Sequence, residues 1–368
     1  RHTNFAVESI EQTHNGSAAA GSKISVTVSR NGDLLSQVWL AWEATGTIPS
    51  YASLGAIDNV EVEIGGQVID KQYGHWMHIW NDLTNPTDKH TLLVRAATTA
   101  AAVSSGAGVV AADKEVYIPL QFWFCRNPGL ALPLIALQYH EVKLNITFAN
   151  SAFAVAGNPT GVTVWCDYIF LDTDERRRFA QVSHEYLIEQ VQFSNALSVK
   201  GDNAQHELRF NHPVKELVWT VNTSKRAATV AAAELSDILV KSALLQLNGH
   251  DRFKRRSGKY FTTVQRSHHH SGMTDTNLVV ASSDNDGKSR PHVYSFALKP
   301  EEHQPSGTCN FSRIDNAVLN LEFQTAGAGT AISTVGGLNG AGGTLKVYAV
   351  NYNVLRIMSG MGGLAYSN

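Results

Sequence analysis

The chain has 368 residues, of which 43% are hydrophobic and 17% are charged, and its net charge at pH 7 is −2. This length suits two domains of about 180 residues each, and the balanced charge excludes a basic field that would bind nucleic acid over the whole surface. A charged fraction below the typical value of about 25% predicts that neighbouring proteins cover much of the surface.

The first third of the chain is predicted to be mainly β-strand. Apolar alternation predicts strands at residues 23–29, 37–44 and 59–70. The last of these is a hairpin, since Gly65 and Gly66 supply the positive φ angles of a tight turn. Bulky apolar residues between Trp76 and Leu83 then recur at helical spacing, so one short helix follows and ends before Pro86.

The most informative stretch lies in the middle of the first half. Residues 116–125 are rich in β-branched and aromatic side chains, and residues 139–148 alternate with period two, so both are predicted to be strands. Between them, Pro128 and Pro133 forbid a continuous ladder or a long helix. The apolar segment 128–137 is therefore expected to be buried without regular structure, a connection that favours a Greek-key sandwich over an up-and-down barrel.

A second half of the chain begins after the strand predicted at residues 161–171. The charged segment 172–183 separates this strand from the next one, which is predicted at residues 184–193. We therefore place the domain boundary in the charged segment. The expected domains are residues 1–182 and 183–368.

The second half repeats the first in outline. Residues 244–253 mirror the first hairpin, with Asn248 and Gly249 at the turn, and residues 257–264 mirror the short helix. Four landmark pairs recur at nearly one separation in sequence: Trp76 and Tyr260, Tyr117 and Tyr294, Pro128 and Pro305, and Tyr168 and Tyr352. This repeat predicts an all-β fold of two tandem eight-stranded jelly-roll sandwiches, with short helices in the loops.

Three long insertions occupy analogous places in the two halves, at residues 86–113, 267–291 and 326–343. Small and polar residues dominate them, so they do not build a core of their own, and they are too long for ordinary turns. We expect all three to be exposed and to decorate one end of the sandwiches, as the outer face.

The histidines do not predict a metal site. His268, His269 and His270 are adjacent, with His250, His292 and His303 elsewhere in the second half. Adjacent side chains on an extended chain point in alternate directions, and no Cys or carboxylate stands at ligand spacing. A solvated loop is therefore favoured over a metal centre.

No local pattern predicts catalysis either. Asp172, Asp174 and Glu175 are followed at once by three arginines, at residues 176–178, which favours an interdomain or intersubunit charge network over acid/base chemistry. The glycine-rich segment 336–344 lacks the Lys-Ser/Thr pair of a phosphate-binding loop. We expect no enzymatic activity, no cofactor and no bound metal.

Cysteine usage and hydropathy indicate where the chain is made. Cys125, Cys166 and Cys309 form an odd set, and two of them lie in apolar strand-like settings, which favours free thiols and a reducing, cytoplasmic site of synthesis. The apolar run near residues 130–137 is far shorter than the roughly 20 residues of a membrane span. Because the chain opens on Arg1 without Met or a signal pattern, we expect a further N-terminal segment.

Four segments carry a resemblance to a known family. They read PGLALPLIALQYHEVKL, DYIFLDTDERRRFAQ, SGTCNFSRIDNA and NYNVLRIMSGMGGLAY. In these segments the chain resembles the major capsid proteins of nucleocytoplasmic large DNA viruses, above all those of viruses that infect algae. The likeness extends from the first residues to the last and departs mainly in the predicted loops.

The resemblance implies a structural function in the shell of a large icosahedral double-stranded DNA virus. By this resemblance, three copies form a homotrimeric capsomer whose six sandwiches imitate a hexagon. Neighbouring capsomers tile the shell over an internal membrane, together with minor capsid and penton proteins. The resemblance also implies a location in the virion, synthesis and assembly in the host cytoplasm, and no sequence-specific binding of nucleic acid.

Carbohydrate-binding and carbohydrate-cleaving proteins also use jelly rolls and form the alternative class. A lectin-like protein of this kind needs carboxylates grouped in loops around calcium, and a glycan-cleaving one needs two acids across a cleft. The loops here are dominated by Ala, Gly, Ser and Thr. The sequence therefore favours the capsid interpretation.

Four asparagines begin Asn-X-Ser/Thr sequons, at Asn15, Asn145, Asn222 and Asn310. A chain made in the cytoplasm does not meet the secretory glycosylation machinery, and Asn145 lies in a predicted strand. The resemblance implies that virus-encoded enzymes with other sequence preferences glycosylate surface-loop asparagines in some relatives. The candidate glycan-bearing residues are therefore Asn15, Asn222 and Asn310.

Overall fold

A computed structural model describes residues 4–43, 52–86, 115–150, 158–200, 202–223, 240–272, 291–323 and 343–366. The chain divides into two compact units, and each is described by itself. Unit 1 comprises Arg1–Met77, Leu92–Gln190 and Asn353–Asn368, and unit 2 comprises His78–Thr91 and Val191–Tyr352. The predicted insertions lie almost entirely outside the described residues.

The first ten strands belong to unit 1. They are β1 (Phe5–Gln12), β2 (His14–Asn15), β3 (Lys23–Thr27), β4 (Leu34–Glu43), β5 (Ile57–Ile64), β6 (Gln67–Tyr73), β7 (Glu115–Pro119), β8 (Leu132–Pro133), β9 (Val142–Phe148) and β10 (Thr160–Leu171). One antiparallel sheet has the order β1-β10-β4-β7, with β8 beside β4, and the other has the order β2-β3-β9-β5-β6. Alternate residues of both sheets form a dry core, including Leu40, Val164, Val60 and Ile146.

The remaining strands form the second pair of sheets. They are β11 (His184–Val199), β12 (Asn203–Glu207), β13 (Pro213–Thr223), β14 (Val240–Leu247), β15 (His250–Asp251), β16 (Arg256–Ser257), β17 (His292–Ser295), β18 (Cys309–Asn310), β19 (Ala317–Phe323), β20 (Gly343–Met358) and β21 (Met361–Leu364). The sheet orders are β11-β20-β13-β17, with β18 and β21 alongside, and β12-β19-β14-β15, with β16 alongside. The start of β11, the end of β20 and all of β21 fall in unit 1.

The two halves share one topology, which confirms the predicted double jelly roll. In each half the first strand pairs with the last long strand, β1 with β10 and β11 with β20. The landmark tyrosines occupy matching strands, since Tyr117 and Tyr294 lie on β7 and β17, and Tyr168 and Tyr352 lie on β10 and β20. Both predicted hairpins turn as expected, at the positive φ pairs Gly65-Gly66 and Asn248-Gly249.

The described residues also form four short α-helices: α1 (Gly74–Thr84), α2 (Trp123–Arg126), α3 (Thr173–Gln181) and α4 (Gln265–His269). The predicted helix near Trp76 is confirmed as α1, and its counterpart in the second half is a π-helical stretch, Tyr260–Val264, that continues into α4. The 3-10 turns are Ala52–Ala56, Pro128–Leu130, Leu134–Ala136 and Phe311–Arg313.

The strand predicted at residues 116–125 is wrong in its second part. Strand β7 ends at Pro119, and helix α2 follows. Phe122, Trp123 and Phe124 are all buried and their rings pack together, with centroids 5.1 Å apart for Trp123 and Phe124. Strand alternation would place Trp123 on the opposite face from Phe122 and Phe124, whereas the chain turns into α2 after Phe122 and all three rings are buried. Cys125 therefore lies on a helix and not on a strand.

The charged segment after β10 is also more ordered than the sequence analysis proposed, because it forms helix α3. The side chain of Asp172 accepts a hydrogen bond from the backbone N–H of Thr173 at 2.7 Å, and Asp174 and Glu175 occupy the first turn. These acids stabilise the helix, because negative charge is favourable near the N-terminal, positive end of the helix dipole. The helix has little apolar face, so periodicity did not reveal it.

The crossover that is predicted to be buried over residues 128–137 is buried from Ala131 to Leu137, apart from the half-buried Ile135, whereas Pro128 and Gly129 are exposed. Ala131, Leu132, Leu134 and Leu137 are each at most 3% exposed. Two 3-10 turns and the two-residue strand β8 give the crossover its shape, and β8 pairs with β4. The backbone N–H groups of Ala131, Ile135 and Leu137 donate hydrogen bonds to the carbonyl oxygens of Pro128, Asp33 and Leu134, although no long element forms.

Candidate functional site

The outer face of the sheet β1-β10-β4-β7 carries an exposed group of aromatic side chains. Trp165 of β10 lies directly opposite Trp39 of β4, and Tyr117 of β7 lies opposite Ala41. The neighbouring residues on these strands, including Val164 and Leu40, point into the core, so the aromatic residues point away from it. Both indoles are half-buried, and Tyr117 is 42% exposed.

Carboxylates surround these rings. Glu11 lies opposite Trp165, Glu43 lies opposite Glu115, and Asp167 follows Trp165 on the same face. The Tyr117 hydroxyl donates a hydrogen bond to Glu115. We call this surface the acidic aromatic patch, defined by Trp39, Tyr117, Trp165, Glu11, Glu43, Glu115 and Asp167.

The acidic aromatic patch is an open depression of about 700 Å³ and not a closed pocket. The described strands β1, β4, β7 and β10 contain no Lys or Arg, so the carboxylates have no cation within these strands. The indole N–H of Trp165 donates to the Thr163 hydroxyl at 3.1 Å. Large amphipathic rings beside exposed acids suit a contact with another macromolecule, because aromatic residues dominate binding energy at protein interfaces.

A surface of opposite charge lies in unit 2, after the second hairpin. Arg252, Lys254, Arg255, Arg256 and Lys259 are all exposed. We call residues 252–259 the basic strip. Within it, Arg255 forms an ion pair with Glu322 at 3.4 Å, and the Arg256 guanidinium lies 4.3 Å from the centre of the Tyr260 ring.

The predicted solvated loop at residues 268–270 is wrong for His270. His268 and His269 end helix α4, but the His270 side chain is fully buried between two carboxylates. Its Nε2 lies 3.0 Å from Glu216, and its Nδ1 lies 3.1 Å from Glu301. Burial alone would lower the pKa of His270, but the two carboxylates outweigh it and raise the pKa to about 9. His270 is thus a charged structural link.

The other histidines of the second half are separate from one another. Burial lowers the pKa of His292 to about 4, and its ring stacks on Trp219 at a centroid distance of 5.7 Å. His250 is exposed on β15. Among the residues that the structure describes, no group of three or more His, Cys, Asp or Glu side chains could hold a metal ion.

The acidic cluster at the start of α3 is structural. Asp172 caps the helix, and Arg176 forms an ion pair of 3.0 Å with Asp33, a residue of the same unit. The prediction of an interdomain or intersubunit charge network is therefore wrong for Arg176, whose ion pair lies within one unit. Asp33 also accepts a hydrogen bond from the Leu171 backbone N–H at 2.8 Å, so it joins α3 to β10.

The candidate glycan-bearing asparagines differ in accessibility. Asn15 is exposed on β2, and Asn222 is half-buried on β13. Asn310 is exposed, and its side chain accepts a hydrogen bond from the Ser312 backbone N–H at 3.1 Å, capping a 3-10 turn. Asn145 is buried on β9, where it accepts a hydrogen bond from Ser25, in line with its exclusion from the candidates.

The three cysteines are free thiols, as expected. Burial raises the pKa of the Cys125 thiol to about 12 and also raises the pKa of the Cys166 thiol. Burial also raises the pKa of the Cys309 thiol. Thiols of this kind remain protonated near neutral pH and are poor nucleophiles. They are packing groups, which agrees with the absence of a catalytic motif in the sequence.

Sequence reasoning did not find the acidic aromatic patch or the basic strip. The patch had a readable signal, because Thr163, Trp165 and Asp167 alternate with apolar residues on β10 and a tryptophan therefore falls on the polar face. The basic strip was visible as five cations within eight residues, 252–259. In the described part of the chain, no helix is long and apolar enough to cross a membrane.

Two family descriptions match the chain. "Major capsid protein N-terminus" matches residues 1–172, and "Large eukaryotic DNA virus major capsid protein" matches residues 175–363. The major capsid protein of Pyramimonas orientalis virus is 50% identical and covers 100% of this chain and 92% of its own length. That of Paramecium bursaria Chlorella virus 1 is 41% identical, with coverages of 100% and 93%.

Solved structures agree. The crystal structure of PBCV-1 VP54, fitted into a reconstruction of the virophage Sputnik, has a TM-score of 0.82 at 41% identity and covers 100% of this chain and 98% of that chain. The Faustovirus major capsid protein has a TM-score of 0.72 at 11% identity, with coverages of 97% and 91%, and supports the fold alone. The relatives are named for a structural role, which supports the capsid interpretation and not the lectin-like alternative. The chain therefore belongs to the major capsid protein family of large eukaryotic DNA viruses, and it is a structural protein of the capsid and not an enzyme.

Proposed function

We propose that three copies of the chain form a homotrimeric, pseudo-hexagonal capsomer and that many such capsomers tile the icosahedral outer shell of the virion. The observation that carries this proposal is the repeated sandwich within one chain, because a threefold ring of such chains presents six nearly equivalent edges. The likeness to a quasi-atomic model of the PBCV-1 capsid, at a TM-score of 0.81 and 41% identity, supports it.

The two repeats that make the pseudo-hexagon are residues 1–182 and 183–368 in this proposal. The two family descriptions, which meet between residues 172 and 175, support a division near this point. Helix α3 occupies the junction. A nick introduced by a protease site after Val182 would leave two halves that stay associated and folded, and loss of structure in either half would contradict the division.

Analytical ultracentrifugation of the purified chain tests the trimer. We expect a single species of about three times the 40.0 kDa chain mass at micromolar concentration. Large permanent interfaces bury roughly 2,000–5,000 Å², enough to make free monomer scarce at that concentration. A chain that sediments as a monomer under these conditions would contradict the capsomer proposal.

The remaining partners follow from the same proposal. The trimer contacts neighbouring capsomers, minor capsid proteins and penton proteins, and the shell encloses an internal membrane that this chain does not span. Synthesis and assembly take place in the host cytoplasm, and the chain does not bind nucleic acid in a sequence-specific way. Cryo-electron microscopy of virions, with this chain fitted into the shell density, tests the arrangement.

Glycosylation is proposed at Asn15, Asn222 and Asn310. Asn15 and Asn310 are exposed, which favours them over the half-buried Asn222. Glycopeptide mass spectrometry of virion-derived protein tests each position, and Asn145, which is buried on β9, serves as the internal control. Unmodified peptides at all three candidates would remove this part of the proposal.

A further inference from the structure

The acidic aromatic patch is accessible to solvent in the part of the chain that the structure describes. Trp39 and Trp165 lie side by side on adjacent strands, and Tyr117 stands exposed beside them on β7. A flat sheet face with two indoles and a phenol is expensive to leave in water, since each ring presents a large apolar area. Such clusters are the usual anchors of protein interfaces.

The charge around the patch selects the partner. Glu11, Glu43, Glu115 and Asp167 give the face four carboxylates, and the described residues of its strands supply no cation. A partner surface must therefore bring positive charge together with some apolar area. A second acidic or a purely apolar surface would leave these carboxylates desolvated without partners.

The basic strip has the required properties. It presents five exposed cations over residues 252–259, with one adjacent acid, Asp251. Arg256 stacks on Tyr260, and Val264, which follows on the same helical segment, is 42% exposed. The strip thus combines guanidinium and ammonium groups with apolar area, and arginine in particular stacks on aromatic rings.

The two surfaces belong to different units of the chain, and both are exposed in the single chain. A cyclic trimer needs a heterologous interface, in which one surface of a copy contacts a different surface of the next copy. A complementary pair of surfaces on one chain meets this need, and a closed ring of three would use every patch and every strip.

We propose that the acidic aromatic patch of one copy docks against the basic strip of a second copy, with Trp39 and Trp165 as the anchors of the contact. This inference rests on the homotrimer proposed above and identifies the surfaces that close it. In this contact, Glu43 and Glu115 face Lys254 and Lys259 of the neighbouring copy. These two lysines are chosen for the test because Arg255 and Arg256 already have contacts within their own chain.

Charge reversal with rescue tests the pairing. The variant E43K/E115K reverses the patch, the variant K254E/K259E reverses the strip, and the combined variant carries all four changes. We expect each double variant to raise the trimer dissociation constant by about 100-fold or more, because like charges then face each other. The combined variant should regain most of the trimer stability, because the attraction is restored with its sign exchanged.

A matched control keeps the charge change and moves it elsewhere. The variant E8K/E141K alters the net charge as E43K/E115K does, at exposed residues outside the patch, and should leave the trimer intact. Urea denaturation of every variant shows whether the fold itself is changed. Raising NaCl to 1 M should weaken the wild-type trimer, since salt screens exposed charges. At this salt concentration, neither double variant should form a more stable trimer than the wild type.

The outcomes separate this inference from the trimer itself. A wild-type chain that is monomeric contradicts the proposed function. A trimeric wild type whose two double variants are equally trimeric overturns the docking inference alone, as does a combined variant that remains monomeric. Trimer loss in only one double variant also overturns it, because the altered surface would then contact something other than its proposed counterpart.

Discussion

Each half of the chain begins with a strand of a sheet that has the same strand order in both halves, but the outer faces of these two sheets differ in exposure to solvent. On the sheet β1-β10-β4-β7 the outer face is open, and Trp39, Trp165 and Tyr117 are accessible. On the sheet β11-β20-β13-β17 the side chains that point away from the core are buried, each at most 1% exposed: Val218, Thr220, Tyr348 and Val350. A shared topology therefore does not imply a shared environment.

The burial of individual residues reflects this difference. In strand β10, buried and half-buried residues alternate from Val162 to Asp167, as expected for a sheet with one solvent-exposed face. Strand β20 is nearly continuous in apolar residues from Val347 to Val350, as expected for a sheet buried on both faces. Corresponding strands of a duplicated fold thus differ in their burial patterns.

The largest expected effect comes from placing the same charge on the two outer faces. Thr220→Lys should lower the free energy of unfolding by about 3–5 kcal/mol, because the ammonium is buried and lies opposite another cation, Lys346. Gln37→Lys, on the open face and opposite Asp167, should change it by no more than about 0.5 kcal/mol. Urea denaturation measures both, and equal effects would remove the contrast between the faces.

The buried crossover near the first sheet gives the next effect. Leu134→Asp places a carboxylate at a site that is 2% exposed and should cost at least about 3 kcal/mol, enough to prevent a soluble product in a marginally stable domain. Tyr139→Asp, five residues on and 76% exposed, is the matched control and should be tolerated. Normal soluble yield from the Leu134 variant would show that the crossover is not part of the core.

Unit 2 should be the more sensitive to alkaline pH, through His270. Its folded pKa of about 9 lies above the ordinary value of about 6.5, so the stabilisation is fully present below pH 6.5 and is lost as the pH rises through 9. The loss is on the order of 3 kcal/mol. His270→Gln should abolish this slope between pH 6.5 and 8.5, measured by thermal unfolding, and a slope retained in that window would assign it to other groups.

His292 should produce the opposite slope in the same unit. Burial lowers its folded pKa to about 4, so the unfolded chain takes up a proton first as the pH falls below about 6.5. Stability should therefore decline from pH 6.5 toward pH 4. His292→Phe, which keeps a ring against Trp219, should reduce this decline. An unchanged acid slope in that variant would contradict the assignment.

The smallest expected effect lies at α3. Arg176 is half-exposed, so Arg176→Gln should cost no more than about 1 kcal/mol despite the 3.0 Å ion pair with Asp33. Asp33→Asn should cost more, about 1–2 kcal/mol, because Asp33 is largely buried and also accepts the Leu171 N–H. Equal costs would show that the ion pair, and not the backbone hydrogen bond, holds the helix.

Period and turn chemistry were enough to predict most of the fold. The hairpin glycines, the helix near Trp76 and the repeated tyrosines all depend on local pattern, and the structure places each as expected. Helix α2 was not predicted because three successive aromatic residues have a high strand propensity, and only their packing shows that the chain turns there. His270 escaped because its partners Glu216 and Glu301 are distant in sequence. The acidic aromatic patch needed strand register to pair Trp39 with Trp165, whereas the five cations of the basic strip are already close together in the sequence.

The duplication has a consequence for how such a shell can evolve. In a ring built from six separate copies of a single sandwich, every corresponding face would be encoded by the same codons, so a substitution that improved one contact would be imposed on all six. Joining two sandwiches in one chain frees β10 and β20 to diverge, one toward an alternating strand and the other toward a continuous apolar strand. A covalent link between two similar domains thus allows the residues on the two sides of each junction to be substituted independently, while the geometry of the ring stays the same.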